Sequence, residues 1–185
     1  MRYSRLVLSL VFILTLAAMA VAQDDQDNQD NKPKRAPSTA EERQRFAALT
    51  HKLELTPLDK SLYKEKAWAK QWLEDIPDIN INICAPILFG VEFVAEQNPY
   101  TPQLSYQATF GSATYIIEHP DKKNDLSAQY LAGVESALKA YSAIVKSDPT
   151  SQSRALDNLL EKQKQGKLAD FVRTSSKPCD NNKEG

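Results

Sequence analysis

Histidine and cysteine are scarce in this chain, two of each among 185 residues, and their scarcity removes whole classes of chemistry. No C-x-x-C pair and no H-E-x-x-H helix occurs, so the common zinc spacings are missing. A G-x-S-x-G elbow is also lacking; the hydroxyl in "FGSAT", Ser112, falls inside a helical pattern, where it is expected to bond the preceding turn. His51 and His119 are the only imidazoles, and no spacing sets either beside a nucleophile. Charge of one sign is lacking as well. With 23 basic and 24 acidic residues the formal charge is −1, so nucleic acid finds no basic footprint. Strand-forming runs are equally sparse. "DININIC", residues 78–84, alternates Ile and Asn with the period of a strand, but no partner run accompanies it. A lone strand is unstable, so the stretch reads as an extended connection feeding a helix near Pro86.

What is present begins with an export signal. Arg2 and Arg5 precede the apolar "LVLSLVFILTLAAMA", which ends at the small-x-small site Ala20-Val21-Ala22. That core, about 15 residues, is shorter than the roughly 20 needed to span a bilayer. Residues 1–22 therefore read as a signal peptide, with no stable membrane anchor after cleavage and a secreted or periplasmic location. Once Arg2 and Arg5 leave with it, 24 acids face 21 bases, a formal charge of −3. Residues 23–37, "QDDQDNQDN" and then "KPKRAP", carry no large apolar side chain and read as a disordered polar leader. A single helical domain is expected over 38–185, with a flexible C-terminal tail after 179.

Helical periodicity dominates that domain. Ser38 and Glu41 form a capping-box pattern ahead of Phe46, Leu49 and Leu53. Thr56-Pro57 reads as a second helix start, with the helix running to about Asp75. Its apolar arc of Leu58, Leu62, Ala69, Trp72, Leu73 and Ile76 also contains Glu65, which predicts a buried carboxylate. The stretch "TPQLSYQATFGSATYII", Thr101 to Ile117, has no charge and apolar residues on opposite faces, as for a helix buried all round. From Asp125 a cap is followed by Leu126, Tyr130, Val134, Leu138 and Tyr141 on one side. Gly133 lies on that side, where it predicts a close helix crossing. Helices around Leu156–Leu160 and Leu168–Val172, with Gly166 as the stop between them, complete the pattern. The expected fold class is all-α, an irregular bundle of about five to seven helices around a buried central helix at 101–118.

Cys84 and Cys179, in an oxidising compartment, predict a long-range disulfide. It would close a loop of about 96 residues and contribute up to about 4.7 kcal/mol by chain-entropy reasoning. Catalytic candidates are few. Glu65, if buried, would have a raised pKa, and Glu92 or Glu96 would be its ionised partner in a carboxylate pair of the kind glycoside hydrolases use. Trp68 and Trp72, one turn apart with Tyr63 further round, are candidates for an aromatic binding platform. Glu118, His119, Asp121 and Asp125 cluster in "IIEHPDKKND", but they lack EF-hand spacing and a loop glycine, and they read as a helix end and the next helix start. No metal or other cofactor is expected. In architecture alone the chain resembles small periplasmic helical proteins with one disulfide, which include acid chaperones and inhibitors of secreted toxins. The residues point to an exported protein that binds another protein; the rival readings are a small cell-envelope hydrolase built on Glu65 and an apolar-ligand carrier.

Overall fold

The structure, a computed structural model, describes residues 35–88 and 96–180. The signal peptide, the leader through residue 34, Glu92 and the last five residues lie outside the described residues. Within them the chain is helical, with no strand. Helix α1 spans Ala40–Leu55, α2 Tyr63–Asp75, α3 Ala85–Leu88, α4 Thr101–Glu118 and α5 Leu126–Ser147. Arg154–Lys164, Leu168–Ser175 and Lys177–Asp180 follow as α6, α7 and α8. The all-α bundle expected from periodicity is thus present, with the Asn-Ile stretch running as an extended connection between α2 and α3.

Two helix starts differ from the sequence reading, and in both a competing hydrogen bond decides. The capping box of α1 forms one residue later, between Thr39 and Glu42: the Glu42 N–H donates to the Thr39 hydroxyl at 3.2 Å, and the Thr39 N–H donates to the Glu42 carboxylate at 3.0 Å. Ser38 is taken by Asp78, to which its N–H and hydroxyl donate at 2.8 and 2.7 Å. Arg43 adds a third bond to that carboxylate at 2.9 Å, so the extended connection is tied to the start of α1. Thr56 ends α1 instead of starting α2, because its N–H and hydroxyl both donate to the Lys52 carbonyl, at 2.9 and 3.0 Å. Asp59 then caps a short 3-10 turn, Lys60–Leu62, through the Ser61 N–H, and α2 begins only at Tyr63.

Helices α4 and α5 form the most extensive helix pair, with α1 laid against both. Their separation is set by glycine. A Cβ placed on Gly133 would lie 2.7 Å from the Ala108 carbonyl oxygen and 2.5 Å from the Ser112 hydroxyl; one on Gly111 would lie 2.9 Å from the Ala132 carbonyl oxygen. Neither helix tolerates a larger residue there, which is the close crossing expected from Gly133. The Ser112 hydroxyl donates across this crossing to the Gln129 carbonyl at 2.9 Å, not to its own preceding turn. Burial all round holds for α4 from Phe110 to Thr114, while its first two turns leave Pro102, Gln103 and Tyr106 exposed.

The buried apolar residues group into two clusters. One gathers α5 with Cys84, Ile87, Leu88, Leu156, Leu168 and Val172; each fully buried aliphatic side chain there contributes about 1.5–3 kcal/mol. Tyr141, pushed up to about 12 by burial, accepts from the Ser153 N–H and donates to Asp157 at 2.8 Å each, tying α5 to the first turn of α6. The Cys84–Cys179 disulfide, with Cα atoms 5.8 Å apart, fastens α3 to α8 on this side. The second cluster joins α1, α2 and α4 through Phe46, Trp72 and Phe110. Ring centroids there are 4.8 Å apart for Phe46 and Trp72 and 5.1 Å for Phe46 and Phe110.

Candidate functional site: a groove between α2 and α4

The aromatic trio acts as a spacer. With Trp72 and Phe46 filling the space at one end, α2 packs on α1 and stands off from the first turns of α4. A groove of about 480 Å³ is left between them. Its floor is the buried set Leu53, Pro57, Gln107 and Phe110. Gln107 is fixed there by donating to the Thr50 carbonyl at 3.1 Å and the Ser136 hydroxyl at 2.8 Å.

The α2 wall follows from helix geometry, since residues four apart stack on one face. One row is Tyr63, Ala67, Gln71; the other is Lys66, Lys70, Glu74. The α4 wall carries Pro102, Gln103 and Tyr106. Tyr63 is 75% exposed and Tyr106 is 44% exposed, so two of the four exposed large apolar residues among those described line this groove. The Lys66 ammonium donates to the Pro57 carbonyl at 3.1 Å. Lys70 crosses the groove, its Nζ 4.0 Å from the centre of the Tyr106 ring, and the Tyr106 side chain pushes the Lys70 pKa up. The lining offers phenols, amides, two ammoniums and a single carboxylate, with no imidazole or thiol. Such a set can hold a ligand by apolar contact, hydrogen bonding and charge.

The residues singled out from sequence are dispersed. Glu65 is not buried: its side chain is 42% exposed and accepts from Arg45 at 2.7 and 3.2 Å. The apolar members of that arc do face inward, with Leu62, Ala69, Trp72 and Ile76 buried and Leu73 packed against them; Glu65 departs from it, in the first turn of α2, where Arg45 of α1 meets the carboxylate at the surface. Glu96 accepts from the Ala155 N–H at 3.2 Å, at the first turn of α6, so its partner and that of Glu65 lie on different helices. Glu92 lies outside the described residues. Trp72 is 2% exposed and belongs to the core. Trp68 stacks on it at 5.8 Å with the Arg45 guanidinium 3.7 Å over its ring, so that face is covered. Of the three aromatics proposed as a platform, Tyr63 alone reaches the groove.

Among the described residues no group of three or more His, Cys, Asp or Glu side chains is placed to hold a metal. Glu118 pairs with His51 at 2.9 Å, His119 stacks on Tyr115 at 4.5 Å, and Asp125 caps α5 through the Ala128 N–H. No described helix is long and apolar enough to cross a membrane. Comparison with protein-family models, curated proteins and solved structures finds no match to this chain.

Lys66, Lys70 and Tyr106 were not singled out by sequence reasoning. Tyr106 falls on one face of a helix expected to be buried throughout, and Lys66 and Lys70 carry no signal beyond helical spacing. Their i, i+4 spacing was visible, but a groove depends on how far apart two helices stand.

Proposed function

We propose that this is an exported protein that works by binding, and that the groove between α2 and α4 receives a segment of another protein. The observation that carries this reading is the groove itself, a largely apolar floor between two exposed tyrosines. Its volume lies in the range of ligand sites, about 300–1,000 Å³. The export signal ahead of Gln23 and the Cys84–Cys179 disulfide, which is compatible with an extracellular or periplasmic setting, support the location. Glu65, held by Arg45, lends no support to the hydrolase reading.

The test is a photo-crosslinking amino acid at Gln71 in the groove, and separately at Lys164 on α6, in protein exported by living cells. An adduct formed from position 71, absent from position 164 and lost when Ala67→Arg fills the groove, is the expected result. Identical adducts from both positions, or no effect of Ala67→Arg, would overturn the groove. Native mass spectrometry of the same material separates the carrier reading, for which a lipid would remain bound.

A further inference from the structure

Resting on that reading, we propose the chemistry of the occupant: an acidic amphipathic peptide that seats one apolar side chain between Tyr63 and Tyr106 and sets its carboxylates against Lys66 and Lys70. The argument is one of charge complementarity. Arg43 pairs with Asp78, Arg45 with Glu65 and Lys139 with Glu54. The two groove lysines, like most lysines among the described residues, form no salt bridge; what sets them apart is their place beside a largely apolar floor, where Lys66 meets a neutral carbonyl and Lys70 an aromatic face. Both retain N–H donors for an arriving anion, since an ammonium carries three. A cation over an exposed phenol is worth about 0.5–1 kcal/mol, so a carboxylate can draw Lys70 aside at small cost. Tyr106 then opens toward the floor of Leu53 and Phe110, where an apolar side chain gains by burial.

The far end of the same row selects a peptide over a lipid anion. Glu74 lies two turns beyond Lys66 on the groove face, and an alkyl chain lying along the groove would bury methylenes against that carboxylate. A peptide presents backbone N–H groups or a basic residue to Glu74 instead. The groove is acid-binding at one end and acid-repelling at the other, which also sets the direction of the segment.

The experiment uses the mature full-length protein, labelled with nitrogen-15, titrated with a blocked tetrapeptide of two glutamates followed by leucine and phenylalanine. Its counterpart with lysines for glutamates, and decanoate, serve as comparisons. The acidic peptide is expected to shift the amides of Ala67, Gln71 and Tyr106 and to bind about tenfold more weakly to the Lys66→Gln, Lys70→Gln variant. Raising salt to roughly 0.5 M should weaken it similarly, since exposed ion pairs are screened. No shift from the acidic peptide, equal binding of the basic one, unchanged affinity in the double variant or tighter binding of decanoate would each overturn the proposal. The two readings fail separately. A Gln71 adduct that survives Lys66→Gln, Lys70→Gln but is lost in Ala67→Arg sinks the acidic chemistry and leaves the groove, whereas an adduct indifferent to Ala67→Arg sinks both.

Discussion

Around Ala108 to Ser112, α4 meets α5 across two glycines, and the void left beneath the Cys84 segment is about 40 Å³. One turn earlier the same helix faces α2 across about 480 Å³. The difference lies in side-chain size at the facing positions. Gly111, Ala108, Gly133 and Ala132 let backbones approach until carbonyl oxygens would meet any added methyl. On the other side Trp72, Phe46 and Phe110 hold the helices apart, and the long Lys66 and Lys70 side chains line the gap without filling it. One helix thus serves a sealed crossing with its second half and an open groove with its first, and stability and binding are predicted to separate along it.

The largest test of that separation is removal of the clasp on the sealed side. Changing Cys84 and Cys179 to Ser together should lower unfolding free energy by about 2–4 kcal/mol in urea titrations. The amide positions of Ala67 and Gln71 should not move; if they do, the two sides are not independent. Next comes Gly133→Ala. Alanine favours a helix over glycine by about 1 kcal/mol, but its methyl would meet a backbone oxygen at 2.7 Å. Overpacking of that kind costs about 1–3 kcal/mol, so the variant should be less stable by up to about 2 kcal/mol. An increase in stability would show that the crossing is looser than described. Ala67→Arg, in the groove, should stay within about 0.5 kcal/mol of the wild type.

Smaller effects appear on changing pH. Burial pushes the Asp78 carboxyl up, but the Ser38 N–H and hydroxyl together with the Arg43 guanidinium outweigh it and hold the pKa below the ordinary value. A lowered folded-state pKa stabilises above the unfolded value, about 3.9, and that stability is lost as pH falls through the folded pKa. The fall in urea midpoint between about pH 5 and pH 3 should therefore be smaller in Asp78→Asn than in the wild type. His51 acts in the opposite sense. Its hydrogen bond to Glu118, assisted by Glu54, raises its pKa against the partial burial that lowers it. That stabilisation is full below the unfolded value of about 6.5 and is lost as pH rises through the folded pKa. The wild type should weaken slightly from about pH 6.5 to pH 8 while His51→Gln stays flat, and the effect is the smallest here because the imidazole is half exposed.

Much of this architecture was legible in the residues. The Asp125 cap, the extent of α4, the glycine crossing and the pairing of Cys84 with Cys179 follow from local pattern or simple arithmetic, and each appears in the structure. The misreadings share a cause. Ser38 and Thr56 have the right chemistry to cap a helix, yet Asp78, forty residues from Ser38, and the Lys52 carbonyl claim their hydrogen bonds. Glu65 lies within an apolar arc by its spacing, but it sits in the first turn of α2, where Arg45 from α1 meets the carboxylate at the surface.

The sequence by itself determined the secondary structure and the covalent clasp, because periodicity, capping residues and two cysteines act over a few residues or leave a single possible pairing. Only the tertiary structure decided where the molecule is open. The distance between α2 and α4 is set by the sum of three aromatic volumes from three helices, and such a sum is not visible along any one stretch of chain. The same physics brought Lys66 and Lys70 of one helix and Tyr106 of another into the two walls of one groove.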